Sequence, residues 1–349
     1  MRIAYFTESL PPSTDGVANT MTQLCRSLVT RGVEALFFSP FEPGRGTLWD
    51  NRVIRVASFP LWLYPDYRIG LPAMSDIFNR LDRFRPDLVH AASPTPLGYT
   101  ALNYAAKRNL PAVASYHTDF VGYLRYYGFR GLENMGWSYL RHFYNRFRRV
   151  YAPSPSTISD LRRRGFGNLE LWRRGVCRER YSPEFRSTGM RRRAGAHREP
   201  AVLYVGRMVK EKDLDDLVRV NQILRKKRFR FRMIFVGDGP MLPQLKRELP
   251  DACFTGYQYG RDLAEWYASS YIFAFPSTTE TFGNVILEAQ ASGLPCIGVN
   301  KGGVADLIEN GRTGFIARAN DPEHFASLLA RLLEDSELRR SMGDRKSVV

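Results

Sequence analysis

Two cations follow an apolar run in the second half of the chain. Arg207 comes directly after residues 202–206, and Lys212 lies five residues further on. An arginine offers a planar fork of N–H donors and a lysine offers a compact charge, so the two can bind different oxygens of one diphosphate. A solvated basic loop is the alternative interpretation of the same residues.

Two glutamates, Glu280 and Glu288, lie eight residues apart where an apolar run gives way to a helical pattern near Gly283. The first N–H groups of such a helix favour an anion. If both acids lay on the helix, its rise of ~1.5 Å per residue would place them about 12 Å apart, beyond the ~5–9.5 Å of glycosidase carboxylate pairs. This spacing suits a sugar on one glutamate and a ribose on the other, with a diphosphate between them. A helix cap beside an ordinary surface glutamate is the alternative.

The first half of the chain has one weaker anion site. Gly16 stands at the entry of a predicted helix over residues 16–30, where a glycine lets backbone approach a ligand closely. The surrounding residues do not form GxGxxG, so a dinucleotide fingerprint is absent, and a plain turn is the alternative.

Short apolar runs alternate with helical patterns along the chain, which predicts an α/β protein built from parallel βαβ units. The predicted strands are 2–7, 35–39, 53–57, 88–91, 112–116, 149–152, 202–206, 232–236, 253–255, 272–275 and 296–299. Sheets of this kind bind ligands at the carboxyl ends of their strands.

The alternation breaks over residues 182–199, which contain Pro183, Gly189 and three successive arginines but little apolar periodicity. Such a segment indicates a linker. The chain has 349 residues, about twice the length of a single domain. We therefore predict an N-terminal domain over 1–181 and a C-terminal domain over 200–349, each a doubly wound sheet.

Composition excludes several classes of protein. Hydrophobic residues make up 44% and charged residues 25% of the chain, which argues against general disorder. No run approaches the ~20 apolar residues of a membrane-spanning helix. The four cysteines form no CxxC pair, so neither a zinc site nor a disulfide framework is indicated, and we expect a cytoplasmic location.

The net charge of +16 indicates a polyanionic partner, such as nucleic acid, acidic lipid or a phosphorylated substrate. Residues 122–174 hold eleven arginines and three acidic residues, a local net charge of +8. There Trp137, Leu140, Tyr144 and Phe147 recur at helical spacing, as in a helix lying on anionic headgroups; a core-facing stripe fits equally well. A nucleic-acid-binding protein would explain the charge but not the cations and glutamates at strand ends, and no nucleic-acid-binding motif is present.

Together these motifs resemble the retaining glycosyltransferases of family 4, which have the GT-B fold of two Rossmann-like doubly wound domains facing across a cleft. The resemblance covers essentially the whole chain. It rests on Glu280-x7-Glu288, Gly206-Arg207-x4-Lys212, the turn 237–240, the strand 293–297, Gly302-Gly303, and the segments 15–17 and 116–119.

The resemblance implies roles for individual residues. The catalytic residues that it implies are His117 at the donor sugar, Arg207 and Lys212 on the departing diphosphate, and Glu280 on sugar hydroxyls. Its donor-binding residues are Gly16, Gly206, Gly237, Tyr257, Phe282, Gly283, Asn284, Val285 and Glu288, the last on the ribose. Its acceptor-binding residues are Asp15, Asp119 and Tyr123.

The resemblance also implies a mechanism without a metal or any cofactor besides the nucleotide-sugar donor. The acceptor attacks an oxocarbenium-like carbon on the face from which the diphosphate departs, so positioning and electrostatics carry the rate. Residues 213–216 contain the letters DxD, but at a predicted helix start, where acids complement the helix dipole. We therefore expect turnover without a divalent cation.

Segments 115–127, 152–156 and 171–176 are similar to a subgroup that contains GDP-mannose-dependent α-mannosyltransferases and sulfoquinovosyl-diacylglycerol synthases. These enzymes use GDP-mannose or a UDP-sugar and build membrane-associated glycolipids. We therefore favour mannose transfer to a lipid or glycan acceptor, at the inner face of the cytoplasmic membrane. Cys177 stands where the subgroup usually has aspartate, which removes a carboxylate.

Two questions stay open at the level of sequence. An epimerase, or a nucleotide-sugar-binding protein without transferase activity, would use the same donor residues. The family also carries a final helix that crosses back to the first domain, and this chain stops near residue 349, where that helix should begin. We therefore expect the second domain to be truncated.

Overall fold

The structure is a computed structural model that describes residues 1–13, 15–42, 44, 48–61, 64–196 and 199–344. The chain divides into two compact units. The first unit consists of Met1–Val121, Arg130–Pro153 and Thr157–Trp172, and the second of Gly122–Phe129, Ser154–Ser156 and Arg173–Val349. The predicted domain limits at 181 and 200 stay a prediction, as does a truncated C-terminus, whose last residues, 345–349, lie outside the described part.

The first unit is built on a parallel sheet of seven strands in the order β3-β2-β1-β6-β7-β8-β9. The strands of this half are β1 (Arg2–Phe6), β2 (Glu34–Ser39), β3 (Val53–Arg55), β4 (Ala57–Leu61), β5 (Tyr64–Leu71), β6 (Leu88–Ala91), β7 (Ala112–Ser115), β8 (Arg149–Ala152) and β9 (Leu169–Leu171). The helices are α1 (Gly16–Thr30), α2 (Met74–Phe84), α3 (Pro96–Arg108), α4 (Phe120–Tyr126), α5 (Glu133–Tyr144) and α6 (Pro155–Arg163). Strands β4 and β5 pair with each other as an antiparallel hairpin.

The second unit has a parallel sheet of six strands in the order β12-β11-β10-β13-β14-β15. Its strands are β10 (Ala201–Val205), β11 (Arg232–Val236), β12 (Cys253–Phe254), β13 (Ile272–Ala274), β14 (Cys296–Val299) and β15 (Gly314–Ala317). Its helices are α7 (Thr188–Arg193), α8 (Leu214–Lys226), α9 (Leu242–Glu248), α10 (Gly260–Ser269), α11 (Asn284–Ala291), α12 (Val304–Leu307), α13 (Pro322–Glu334) and α14 (Ser336–Asp344). Helix α7 lies within the segment predicted as a linker.

The prediction of an α/β fold with doubly wound parallel sheets is confirmed. Strand β10 is buried at all five positions, as expected for a parallel sheet covered on both faces. In each sheet the first strand has a neighbour on either side, β2 and β6 for β1 and β11 and β13 for β10. The strand order reverses there, and such switch points leave a crevice at the carboxyl ends of the strands where ligands bind in α/β proteins.

The β4–β5 hairpin and two strands at sheet edges, β9 and β15, are not among the strands predicted from the sequence. The apolar stripe of α5 lies in the core of the first unit: Trp137, Leu140, Tyr144 and Phe147 are all at most 9% exposed. The core-facing interpretation of that stripe is therefore confirmed, and these four side chains cannot lie on a membrane.

A buried carboxylate lies at the switch point of the first sheet. Glu8, which follows β1, accepts a hydrogen bond from the Thr95 hydroxyl, which follows β6. Thr95 also caps α3 by accepting from the backbone N–H of Gly98. Glu8 is 1% exposed, and burial raises the pKa of its carboxyl group to about 7. Its ionised form is therefore disfavoured in the folded chain.

We predict that Glu8→Gln weakens the pH dependence of folding stability. A raised folded-state pKa means that the folded chain binds more protons than the unfolded chain, so Glu8 lowers stability as pH rises from about 4.5 to about 7. The shift corresponds to on the order of 3 kcal/mol above pH 7. Urea unfolding should therefore show that the free energy of unfolding falls less between pH 5.5 and pH 8 in the variant than in the wild type.

Glu34→Gln is the matched control, because Glu34 is an exposed glutamate of the same unit. It should keep the wild-type change in unfolding free energy between the two pH values. An identical pH dependence in Glu8→Gln and wild type would contradict the assignment.

Candidate functional site in the second unit

The switch point of the second sheet brings together the two loops that carry most of the predicted site. The loop after β10 contains Arg207 and Lys212, and the loop after β13 contains Glu280. Because β10 and β13 are adjacent parallel strands, their carboxyl ends meet at one edge of the sheet. The topology therefore places the cations beside the first of the two glutamates.

Hydrogen bonds lock the two loops to each other. The Asp213 carboxylate accepts from the backbone N–H and the hydroxyl of Thr278, each at 2.8 Å. The Thr279 hydroxyl donates to the backbone carbonyl of Glu211 at 2.8 Å. Tyr126, in a segment that folds with this unit, donates to the other oxygen of Asp213 at 2.8 Å. Lys212, between Glu211 and Asp213, is thereby held in a fixed position.

Lys212 and Glu280 form an ion pair between the loops, with the Lys212 ammonium donating to Glu280 Oε1. Their side chains are only 11% and 20% exposed. An ion pair so poorly solvated is strongly sensitive to the loss of either partner. The pair places a cation and a hydrogen-bond acceptor side by side, as a phosphorylated sugar would require.

Arg207 is anchored next to this pair. Its guanidinium lies 3.9 Å from Oε1 of Glu211, which is fully buried. Tyr127 donates to the other carboxylate oxygen of Glu211 at 3.2 Å. The hydroxyl of Tyr204 donates to the backbone carbonyl of Arg207 at 2.9 Å. These contacts hold both the main chain and the charged end of Arg207.

Two glycines are required for the backbones to pack this closely. Gly237 has φ +138°, and a Cβ there would lie 2.0 Å from the carbonyl oxygen of Gly206. Gly302 has φ +59°, and a Cβ there would lie 2.3 Å from the carbonyl oxygen of Glu280. The N–H of Gly303 donates to that same carbonyl at 2.8 Å. Gly302 and Gly303 therefore support the loop that carries Glu280.

Helix α11 follows that loop and carries the second glutamate. Gly283 caps the helix with φ +97°, and Asn284 and Val285 are its first residues. Glu280 precedes the helix, so the assumption of eight helical residues between the two acids was wrong, and the separation of about 12 Å stays a prediction. Glu288 accepts from the Tyr267 hydroxyl at 2.9 Å, and burial raises the pKa of its carboxyl group to about 7.

Tyr257 follows the short edge strand β12. Its side chain is 41% exposed, and its ring stacks with that of Tyr259 at a centroid distance of 6.3 Å. Phe282, in contrast, is buried beside the Glu280 loop. An exposed aromatic face such as Tyr257 can stack on a nucleobase.

The candidate residues of the first unit occupy two places within it. Asp15 caps α1 by accepting from the backbone N–H groups of Val17 and Ala18 at 2.7 and 2.9 Å. Its carboxylate also accepts from the hydroxyls of Ser9 and Ser13. Asp15 thus has a structural role in holding the start of α1, where Gly16 is the first helical residue.

His117 and Asp119 follow β7. The Nε2 atom of His117 lies 2.7 Å from the Ser115 hydroxyl, and the His117 ring lies 5.7 Å from that of Trp172. Tyr116 donates to Asp119 at 3.5 Å. Tyr123 lies on α4, within the segment that folds with the second unit.

Sequence reasoning missed the residues that support this site. They are Glu211, Asp213, Tyr126, Tyr127, Thr278, Thr279, Tyr267 and Arg174. Most belong to pairs far apart in the chain, and only the proximity of Glu211 to Arg207 gave a local signal. No group of three or more His, Cys, Asp or Glu suited to a metal ion occurs within the described ranges.

The two parallel sheets are those of the GT-B fold. Family models match both halves of the chain: "Glycosyltransferase Family 4" over residues 14–180 and "Glycosyl transferases group 1" over residues 199–335. The chain is 35% identical to the GDP-mannose-dependent alpha-mannosyltransferase of Mycobacterium tuberculosis over 100% of its length and 92% of that protein. It is also 35% identical to the sulfoquinovosyl transferase SQD2 of Arabidopsis thaliana, over 98% of its length and 68% of that protein.

Solved structures show the same fold. Sucrose-phosphate synthase from Thermosynechococcus elongatus matches with a TM-score of 0.81 at 21% identity, over 98% of this chain and 92% of that one. HepE of Anabaena, in complex with UDP-glucose, matches with a TM-score of 0.78 at 19% identity, over 99% of this chain and 93% of that one. The chain belongs to glycosyltransferase family 4 and is a glycosyltransferase, which confirms the family and the fold that its motifs predict.

We predict that Lys212 and Glu280 are energetically coupled. Lys212→Met leaves a poorly solvated carboxylate without its ammonium partner, whereas adding Glu280→Gln removes that charge. A double-mutant cycle by urea unfolding should therefore give a coupling energy of ~1–3 kcal/mol. Lys210→Met, at an exposed position two residues away, is the control and should change stability little. Additive effects of the two substitutions would contradict the ion pair.

Proposed function

We propose that this glycosyltransferase moves a hexose from a nucleoside diphosphate sugar to a lipid or glycan acceptor, with retention of configuration and without a metal. The interlocked loops carrying Arg207, Lys212 and Glu280 are the observation that supports this proposal most strongly. They present two cations and one carboxylate at the strand ends where an α/β sheet binds ligands.

In this proposal Arg207 and Lys212 bind the donor diphosphate. Their charges gain most when the bond between the sugar carbon and the phosphate oxygen breaks, because negative charge then develops on the leaving group. Glu280 accepts hydrogen bonds from sugar hydroxyls while keeping the Lys212 ammonium in place. The acceptor oxygen attacks the sugar carbon on the same face, and its proton passes to the departing phosphate oxygen.

The remaining proposed contacts are to the ribose and the base of the donor. Glu288 binds the ribose hydroxyls, and Tyr257 lies against the base. Backbone groups of Gly206, Gly237 and the segment 282–285 complete the donor site. Ribose binding requires Glu288 to accept hydrogen bonds, which its ionised form does more strongly.

The residues proposed for the acceptor are Asp119 in the first unit and Tyr123 in the segment that folds with the second unit. Gly16 and His117 keep the donor-side roles that the family motifs imply. Asp15 acts through the cap of α1, since its two carboxylate oxygens already accept bonds from the chain. His117 is oriented by Ser115, which suits a group that contacts the donor sugar.

GDP-mannose is the favoured donor. Relatives from Mycobacterium tuberculosis and Corynebacterium glutamicum that share 35% and 34% identity with the chain are named GDP-mannose-dependent alpha-mannosyltransferases. The equal identity to SQD2 supports a UDP-sugar-dependent glycolipid synthase as the alternative. The family assignment disfavours the epimerase and the binding protein that the sequence alone left open.

We predict nucleotide release from GDP-mannose in EDTA that depends on an added lipid or glycan acceptor. Purified protein is incubated with GDP-mannose, UDP-glucose or ADP-glucose, with and without acceptor, and the free nucleoside diphosphate is measured. We expect more GDP to be released from GDP-mannose than UDP from UDP-glucose or ADP from ADP-glucose. Turnover of a UDP-sugar alone would favour the alternative donor, acceptor-independent conversion would favour an epimerase, and activity that needs manganese would contradict the metal-free mechanism.

We further propose that the first unit binds an anionic membrane surface through exposed side chains at α5. Leu132, Met135 and Tyr139 are 43%, 63% and 44% exposed at helical spacing, in contrast to the buried stripe of the same helix. Arg130 and Arg141 are exposed in the same part of the chain. Each cation near an anionic surface contributes about 1 kcal/mol. No helix within the described residues is long and apolar enough to cross a membrane.

We predict that the protein floats with phosphatidylglycerol vesicles at low salt and that Leu132→Asp/Met135→Asp does not. The two aspartates remove the apolar contact and repel the lipid headgroups. Met74→Asp changes an exposed apolar residue of α2 in the same unit and should float like the wild type. Flotation that is equal in all three proteins, or absent in the wild type, would rule out this surface.

A further inference from the structure

Arg174 places a third cation at the candidate diphosphate site. Its guanidinium lies over the ring of Phe282, 5.4 Å from the ring centre. Phe282 is buried and stands between Glu280 and the start of α11. Arg174 therefore contacts the loop that carries Glu280, although it lies more than a hundred residues earlier in the chain.

Glu280 interacts electrostatically with two cations. It pairs directly with Lys212, and its charge stabilises the protonated form of Arg174. Burial acts in the opposite direction and lowers the pKa of Arg174 to about 10. Arg207 is paired with Glu211, whereas Glu280 interacts with both Lys212 and Arg174. The sharing of one carboxylate by two cations is suited to an additional anion.

We infer that Arg174 is a third cationic ligand of the donor diphosphate. The inference rests on the proposed function and extends it to a residue of segment 171–176 to which the resemblance assigns no role. A diphosphate would balance the charge that Glu280 alone cannot neutralise. The cation–π contact with Phe282 holds the guanidinium beside the Glu280 loop before the ligand arrives.

Calorimetric titration of GDP and GMP in EDTA tests this role without requiring any sugar transfer. Arg174→Gln should bind GDP at least about tenfold more weakly than the wild type, the size expected for one charge-assisted hydrogen bond. GMP affinity should change much less, because GMP lacks the second phosphate. Arg174→Lys keeps the charge but loses the fork of N–H donors, so its GDP affinity should lie between those of the wild type and Arg174→Gln.

Arg173→Gln is the matched control, because Arg173 is the adjacent arginine and is exposed. It should bind GDP as the wild type does. Circular dichroism establishes folding, and if Arg174→Gln does not fold, the comparison uses Arg174→Lys, which should still lose several-fold GDP affinity.

Two results would overturn the inference alone. One is wild-type GDP affinity in Arg174→Gln, and the other is an equal loss for GDP and GMP, which would mean that Arg174 only supports the Phe282 loop. A wild-type chain that binds no nucleoside diphosphate would instead overturn the proposed function, and this inference with it.

Discussion

The site of the second unit depends on holding a poorly solvated ammonium–carboxylate pair, Lys212 and Glu280, in one position. Such a pair is stable only if the surrounding polar groups are fixed as well. The carboxylate of Asp213 and the carbonyl of Glu211 provide this by accepting hydrogen bonds from Thr278 and Thr279. In the proposed mechanism little reorganisation is needed when negative charge develops on the leaving group, because the cations are positioned before the donor binds.

In both sheets ionisable residues lie at the switch point, where the strand order reverses. In the first sheet Glu8 is buried against Thr95. In the second sheet Lys212 pairs with Glu280, between the loops that follow β10 and β13. The common cause is topology, since loops after neighbouring parallel strands must meet at the switch point. The chemistry differs: the first site disfavours ionisation of its carboxyl group, whereas the second retains a charged pair.

The sequence was sufficient for features that repeat at short range. Alternating apolar runs predicted both sheets, and the motifs around Arg207 and Glu280 predicted the family. Contacts between distant residues could not be predicted, because the hydrogen bond of Tyr126 to Asp213 and the cation–π contact of Arg174 with Phe282 depend on tertiary packing. The stripe of α5 shows a further limit, since periodicity locates an apolar face but does not tell whether it faces the core or a lipid.

A crystal structure of the full chain with GDP, grown in EDTA, tests the central claim most directly. The proposed function predicts that the diphosphate lies within hydrogen-bond distance of the Lys212 ammonium and the Arg207 guanidinium, beside the N-terminus of α11. A diphosphate bound elsewhere, or with both of these side chains turned away from it, would contradict the claim.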